Sequence, residues 1–392
     1  MLHPAMMCKM FSKQLYAGVL FLLFSCETPR YFSNADILIA QPEVSTSGQT
    51  WIRNNLELDR LVQIETTESY LMGDLIRRVI LHKDKLIILD KRTHTVFVVN
   101  AHTGKVEIHI NRRGRGPGES RFIIDIAFDC VNEQILVYND YQNLIYFSLD
   151  GEFLKQEKVN DKLYTNILYD NDNLIFYKHA MGDYSYPFLI DIFNLSNRTW
   201  KTLGAEHRVK FDIQLPNPFI VKSKNIWFVP VLDMGLHLLD GDTIKIPYGL
   251  DVRNPLTNEI LKKYQRSDDH RVFSSEIRDR GILWGIQGVR ETENYIVFST
   301  NIGIMMMDKR SFEIHATMWM FDEYLGINHS SFKYLAHDGN DNRIMFIVDH
   351  NQWLGRNPTE QDIPEHLKTQ IETVKLDEKI ESNPILVFYK EK

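Results

Sequence analysis

Six short runs of β-branched and aromatic residues punctuate the chain: KLIILD from Lys85, QILVYN from Gln134, NLIFYK from Asn173, NIWFVP from Asn225, YIVFST from Tyr295 and RIMFIV from Arg343. Polar turn sequences such as HKD, DND and GNDN precede them. Runs this short, bounded by turn formers, predict strands rather than helices. A second series lies between them. Tight turns are expected at Gly104, Gly151, Asn197, Gly241 and Arg310, where Gly, Asn or Asp supplies the positive φ of a hairpin. The first four are separated by 47, 46 and 44 residues, which matches the ~40–50 residues of a four-stranded propeller blade. The last gap is 69 residues, because an insert over residues 255–280 carries Ile260, Leu261 and Tyr264 at helical spacing. A second insert, residues 357–382, repeats Ile363, Leu367 and Ile371 every four positions and also predicts a helix.

The two ends of the pattern complement each other. PILVFYK closes the chain as a strand with nothing after it to pair with, and RLVQIETT (Arg60–Thr67) is a strand with no turn before it. Pairing them closes a ring and removes the edges an open sheet would expose. The pattern therefore predicts an all-β fold over residues 51–392. It is a six-bladed β-propeller of four-stranded blades, closed by an N-terminal strand and carrying two helical inserts.

Three motifs carry a family resemblance: IETT at Ile64–Thr67, GRGPGE at Gly114–Glu119 and NPILVFYK at Asn383–Lys390. Together they resemble the six-bladed propeller lipoproteins of Bacteroidetes, distant relatives of NHL-repeat propellers. The likeness runs from Leu58 to Lys392, with residues 162–221 matching in periodicity alone. It implies fold and location. The family carries no settled catalytic residues, so it implies no chemistry.

The N-terminus reads as an address. Lys9 and Lys13 precede a ten-residue apolar run, Leu15–Phe24, too short for a comfortable membrane span and suited to a signal-peptide core. It ends in LFSC, with Leu23 and Ser25 before Cys26, which resembles the lipobox of bacterial lipoproteins. Residues 1–25 are expected to be a lipoprotein signal peptide, Cys26 the lipidation site, and residues 26–50 a flexible tether. The anchor makes a membrane the first partner and places the protein in the cell envelope, facing the periplasm or the cell surface. Cys130 is then the single cysteine of the body, so neither an internal disulfide nor a cysteine-rich zinc site is available there. The formal net charge of −7, with no long basic run, argues against a nucleic-acid partner.

The glycine-rich stretch NRRGRGPGES (Asn111–Ser120) joins the outer strand of one blade to the inner strand of the next. As a turn it needs no ligand. As a site, Arg112, Arg113 and Arg115 with exposed backbone N–H groups would hold an anion, with Asp125 on the channel wall beside them. It is no phosphate-binding loop, because a strand follows where that motif opens a helix. His82 and His337 are candidate metal ligands from different inner strands, and that metal in the central channel is the one cofactor considered. Asp125 and Asp129 alternate in IIDIAFD and could pair as glycosidase carboxylates, although Asp129 reads better as part of the turn before Asn132. Met305 and Met307 fall on one strand face and Met306 on the other, which predicts core packing. No HExxH, GxSxG or CxxC occurs. The expectation is a non-catalytic envelope lipoprotein whose propeller binds a small ligand or an envelope protein, docked at the channel mouth or on the helical inserts. The alternative is a propeller lyase or hydrolase with a channel-bound metal.

Overall fold

The computed structural model describes residues 35–40, 51–73, 75–178, 188–206, 220–230, 232–257, 259–260, 263, 275–277, 279–329, 342–357, 363, 365–374 and 382–392. Two elements open the described chain: strand β1 (Ile37–Ala40) and helix α1 (Trp51–Asn55). Strand β2 (Leu56–Gln63) follows, and then the blades begin. Blade 1 is β3 (Ile76–His82), β4 (Lys85–Asp90), β5 (Thr95–Asn100) and β6 (Val106–Ile110). Blade 2 is β7 (Ile123–Asp129), β8 (Gln134–Asn139), β9 (Asn143–Ser148) and β10 (Phe153–Lys158). Blade 3 is β11 (Asn166–Asp170), β12 (Asn173–Tyr177), β13 (Phe188–Asn194) and β14 (Trp200–Glu206). Blade 4 is β15 (Ile220–Lys222), β16 (Ile226–Phe228), β17 (Gly235–Asp240) and β18 (Thr243–Asp251). Blade 5 is β19 (Ile286–Glu291), β20 (Tyr295–Thr300), β21 (Gly303–Asp308) and β22 (Ile314–Thr317). A hairpin, β23 (Met320–Asp322) and β24 (Ile327–His329), leads to blade 6. There β25 (Ile344–Val348), helices α2 (His350–Leu354) and α3 (Glu365–Thr373) and the last strand β26 (Ile385–Glu391) complete the chain.

The ring is a six-bladed propeller; its apolar runs are the second strands of blades 1 to 5 and, in blade 6, the strand β25 that pairs with β26. Their continuous apolar character has a physical cause. A blade is covered on both faces by its neighbours, so a second strand has no solvent side. In β4, Leu86 and Ile88 pack with Met345, Ile347, Leu386 and Phe388 of blade 6. Ile87 and Leu89 point the other way and pack with Ile126, Ile135 and Val137 of blade 2. Alternation thus divides one strand between two cores. Met305 and Met307 enter the core shared with blade 4, and Met306 the core shared with blade 6, as the strand period requires.

Blade 6 closes the ring from both ends of the chain. β2 lies antiparallel to β26, from Leu56 opposite Glu391 to Gln63 opposite Ile385. Three further bonds fasten the seam. Asn383 Oδ1 accepts from Met72 N at 2.7 Å, Asn383 Nδ2 donates to Glu65 O at 2.7 Å, and Thr66 Oγ1 accepts from Asn383 N at 2.9 Å. Two of the resemblance motifs, IETT and the closing NP element, are therefore one structural device. Twisted blades also bring the end of each outer strand against a turn of the next blade. Gly104 shows the tightness: its φ is +73°, and a Cβ there would stand 1.8 Å from Gln63 O. Gly104→Ala is expected to lower the melting temperature more than Gly241→Ala, whose φ is +54° with nothing within 4 Å of the new Cβ. The second change carries only the left-handed backbone cost of roughly 1–2 kcal/mol, and thermal unfolding of the two variants checks the order.

Two expectations need correction. The segment read as a flexible tether, residues 26–50, contains β1, which pairs in parallel with β18 (Ile37 opposite Tyr248, Ala40 opposite Asp251) and makes blade 4 five-stranded. Ile39 buries itself there, an apolar gain that a composition-based reading of a polar segment overlooks. Blade 6 shows three strands among the described residues, β2, β26 and β25. At the expected turns Asn197 and Arg310, the positive φ falls instead on Arg198 (59°) and Phe312 (59°). The second insert does hold a helix, α3. Of the first insert, Glu259, Ile260, Lys263, residues 275–277 and Asp279 are helical.

Candidate functional site at the channel mouth

Four antiparallel strands per blade give every inner strand the same direction. Connections into inner strands and those between second and third strands therefore share one face. The glycine-rich loop between β6 and β7 lies on that face. Helix α3 of the second insert packs on the outer strand β2, where Gln370 Oε1 accepts from Leu61 N at 2.9 Å.

The chemistry of the inner wall starts from two arginines inside an apolar strand, Arg77 and Arg78 of β3. Arg78 is fully buried and forks onto Asp125 of β7, Nε to Oδ1 at 2.9 Å and Nη2 to Oδ2 at 2.7 Å. Asn166 Nδ2 and Ile167 N of β11 also donate to Asp125 Oδ2, each at 3.0 Å. Arg78 Nη2 reaches Ile220 O on β15 at 3.2 Å. One ion pair thus ties the inner strands of blades 1 to 4. Arg290 of β19 links blade 5 to its neighbours, donating to Arg343 O just before β25 at 3.0 Å and to Ser223 Oγ in the turn after β15 at 3.5 Å.

Lys91, in the turn after β4, joins this cluster. Its Nζ donates to the carbonyls of Ile123 and Ile124 where β7 begins, the second at 3.1 Å. Its own N–H holds Leu75 O at 2.8 Å. Burial, then the neighbouring Arg77, pushes the Lys91 ammonium down to about 8. Burial likewise lowers the Arg77 guanidinium to about 10, against the pull of Asp125. For Asp125 burial alone would raise the carboxyl, but Arg78 and Arg77 outweigh it and hold it below the usual range. Arg77, Arg78 and Lys91 thus lie close to the Asp125 carboxylate, Arg78 through its fork and Lys91 through the start of the strand that carries Asp125.

Four part-exposed apolar residues lie in connections of blades 1 to 3 on this face. Leu75 precedes β3, Phe122 precedes β7, Leu163 lies in the loop before β11 and Tyr141 in the second turn of blade 2. All four are exposed. His94 fixes one side, accepting from Ile123 N at 3.2 Å with its ring 5.1 Å from Phe122.

The residues singled out from sequence fall in three places. Asp125 belongs to the inner-wall cluster. The glycine-rich loop lies along the seam between blades 1 and 2, against the outer strand of blade 2. Its own Glu119 carboxylate accepts from Gly116 N at 2.9 Å, and Gly118 N donates to Gln156 Oε1 at 3.0 Å. A Cβ on Gly114 would meet Glu119 Oε2 at 1.8 Å, so a glycine is needed for the carboxylate to sit where an external anion would. Arg112 donates to Gly151 O at 3.3 Å and lies 5.6 Å over the Phe147 ring. Arg113 donates to Thr93 O at 2.9 Å, and Arg115 is exposed. The loop arginines and Asp125 are therefore not gathered around one ligand. His82 sits at the opposite end of β3, 4.7 Å from the Phe128 ring and 3.6 Å from Glu133 Oε1. Four residues along a strand separate it from Arg78 by about 13 Å. His337 lies outside the described residues. Among the described residues no three His, Cys, Asp or Glu side chains gather as a metal site. Asp129 holds its own turn, accepting from Val131 N at 2.9 Å and Asn132 N at 3.0 Å. Arg77, Arg78 and Lys91 were missed, although IRRVIL carried a signal: charged residues inside an apolar strand need a buried partner.

The fold is a six-bladed β-propeller whose inner wall carries the buried Arg78–Asp125 pair. The chain belongs to the family of the domain of unknown function DUF4934, whose model matches residues 59–390. Among solved structures, it resembles a protein from Bacteroides fragilis described as exported. That likeness has 16% identity and a TM-score of 0.70, over 91% of this chain and 100% of that one. A member of the DUF4221 family from Bacteroides vulgatus is 10% identical with a TM-score of 0.52, over 86% of this chain and 98% of the other. At such identities the likeness speaks for the fold. No curated protein matches the chain.

Proposed function

We propose that this protein is a non-catalytic, lipid-anchored binding protein of the cell envelope that takes an anionic ligand at its channel mouth. The observation that carries the reading is the polar cluster of Arg77, Arg78, Lys91 and Asp125 set into an otherwise apolar inner wall. The signal-like N-terminus and the Leu-Phe-Ser-Cys sequence ending at Cys26 support the location, as does the description of the Bacteroides fragilis relative as exported.

Thermal shift against acetate, phosphate and sulfate tests it. An anion at a hundred times its Kd is expected to stabilise the protein by about 2.7 kcal/mol. Lys91→Ala is expected to remove the shift, and Arg115→Ala on the exposed loop to leave it unchanged. A shift lost with Arg115 and kept without Lys91 would move the site to the loop. No shift with any anion would sink the reading.

A further inference from the structure

We propose that a cavity on the outer flank of the ring, at the seam between blade 6 and blade 1, binds a small uncharged saccharide. The site stands apart from the channel mouth and does not rest on the anion reading.

The cavity has a volume of about 400 Å³, near the lower end of the roughly 300–1,000 Å³ of small-molecule pockets. Three pieces of chain form its walls. β2 supplies Arg60 to Gln63, the end of α3 supplies Gln370, Thr373 and Val374, and the turn between β5 and β6 supplies His102 and Thr103. Side-chain bonds hold these walls together. Gln370 Oε1 accepts from Leu61 N at 2.9 Å and fixes α3 on β2. Arg60 Nη1 donates to His102 Nδ1 at 2.8 Å and fixes the turn on β2. The cavity is therefore built before any ligand arrives.

The same contacts exclude an added strand. Leu61 N is taken by Gln370. Gly104 packs so closely on Gln63 O that a Cβ there would stand 1.8 Å away. The edge of β2 that an extended peptide would need is blocked at both positions.

The lining decides the class of ligand. Of nine lining residues six are polar, and none is a carboxylate. Arg60 is engaged by His102 and lies 4.3 Å over the Phe388 ring, so it serves as a wall and not as a free charge. The neutral groups supply the recognition. A guanidinium only donates, so His102 Nδ1 accepts and its Nε2 carries the proton. Thr103 Oγ1 accepts from Lys105 N at 3.3 Å and keeps its own O–H to give. Gln370 spends its carbonyl on Leu61 and keeps its NH2. Thr373 Oγ1 donates to Gln370 O at 2.7 Å and keeps its lone pairs to accept. Donors and an acceptor thus line one small cavity without a net demand for charge. A carboxylate or phosphate only accepts, whereas a hydroxyl does both. Leu61, Val62 and Val374 add an apolar patch for the C–H face of a sugar ring.

Saturation-transfer NMR and calorimetric titration of the full-length protein with the methyl glycosides of glucose, galactose and mannose test the proposal. At least one is expected to bind with a Kd on the order of 1 mM. Thr103→Val removes a donor at nearly constant shape and is expected to weaken binding about fivefold. Thr373→Trp fills the cavity from an exposed position at the end of α3 and is expected to abolish binding with the melting temperature unchanged. Either variant serves should the other not fold. No transfer to any of the three glycosides would overturn the proposal. Binding that survives both variants would place the sugar elsewhere and overturn it as well. Glucuronate binding about tenfold tighter than the glucoside would make charge the recognition element and overturn the uncharged class. Displacement of the glycoside by acetate, the probe of the channel mouth, would merge the two sites and overturn their separation.

Discussion

Asparagine at position 125 is expected to destabilise the protein by about 3–5 kcal/mol, the cost of removing one partner of a buried ion pair. Arg78 is fully buried and cannot lose its charge or reach water, so its guanidinium would face an amide that matches only half its fork. Asn166 and Ile167 would compete for that same amide oxygen. Chemical denaturation measures the loss. A double replacement, Arg78→Met with Asp125→Leu, removes both charges and is expected to recover much of it. Failure to recover would show that the polar links to blades 3 and 4 matter more than the pair itself. The same carboxyl sets an acid limit. Its folded-state pKa is depressed, so its contribution is present above the unfolded value of about 4 and is lost as pH falls through the folded value. Acid unfolding of the wild type should therefore include a contribution below about pH 4 that the double replacement lacks.

Removing the chain through Gln63 is the second large effect. β2 buries Leu56, Leu58, Leu61 and Val62. At about 1.5–3 kcal/mol each, their loss amounts to roughly 6–12 kcal/mol, comparable to the ~5–15 kcal/mol that holds a whole domain. The truncation also bares β26 as a free edge. It is expected to be insoluble or unfolded by circular dichroism. Removal through residue 50 spares α1 and β2 and costs only β1, so that protein should fold with a lowered melting temperature. A soluble, cooperatively melting product from the longer truncation would refute strand closure as the latch of the ring.

How much of this was legible depends on where each strand sits. Second strands are apolar on both faces, so KLIILD or QILVYN announces itself. Outer strands are half wet. FLKQEK of β10 has four charged or amide side chains and no continuous apolar signature, and only the blade period locates it. ILIA of β1 was lost because a four-residue strand inside a polar segment has too little pattern to resist a reading by composition. At the site, Asp125 was visible as a polar residue in an apolar strand. Its partner Arg78 was not, because contacts between blades leave no fixed spacing in sequence. The glycine loop misled for the opposite reason. Its residues suit an anion, and the anion they suit is Glu119, three positions from Gly116.

The latch also sets an order of events for biogenesis. β2 leaves the ribosome before any blade exists, whereas its partner β26 follows all the blades. The first strand of the closing blade must wait for the last. Most of the contacts that reward closure are therefore deferred until β26 has been made, and long-range pairing of this kind is slow. A chain built in this way stays open until its last strand has been made, and its propeller becomes a ring only then.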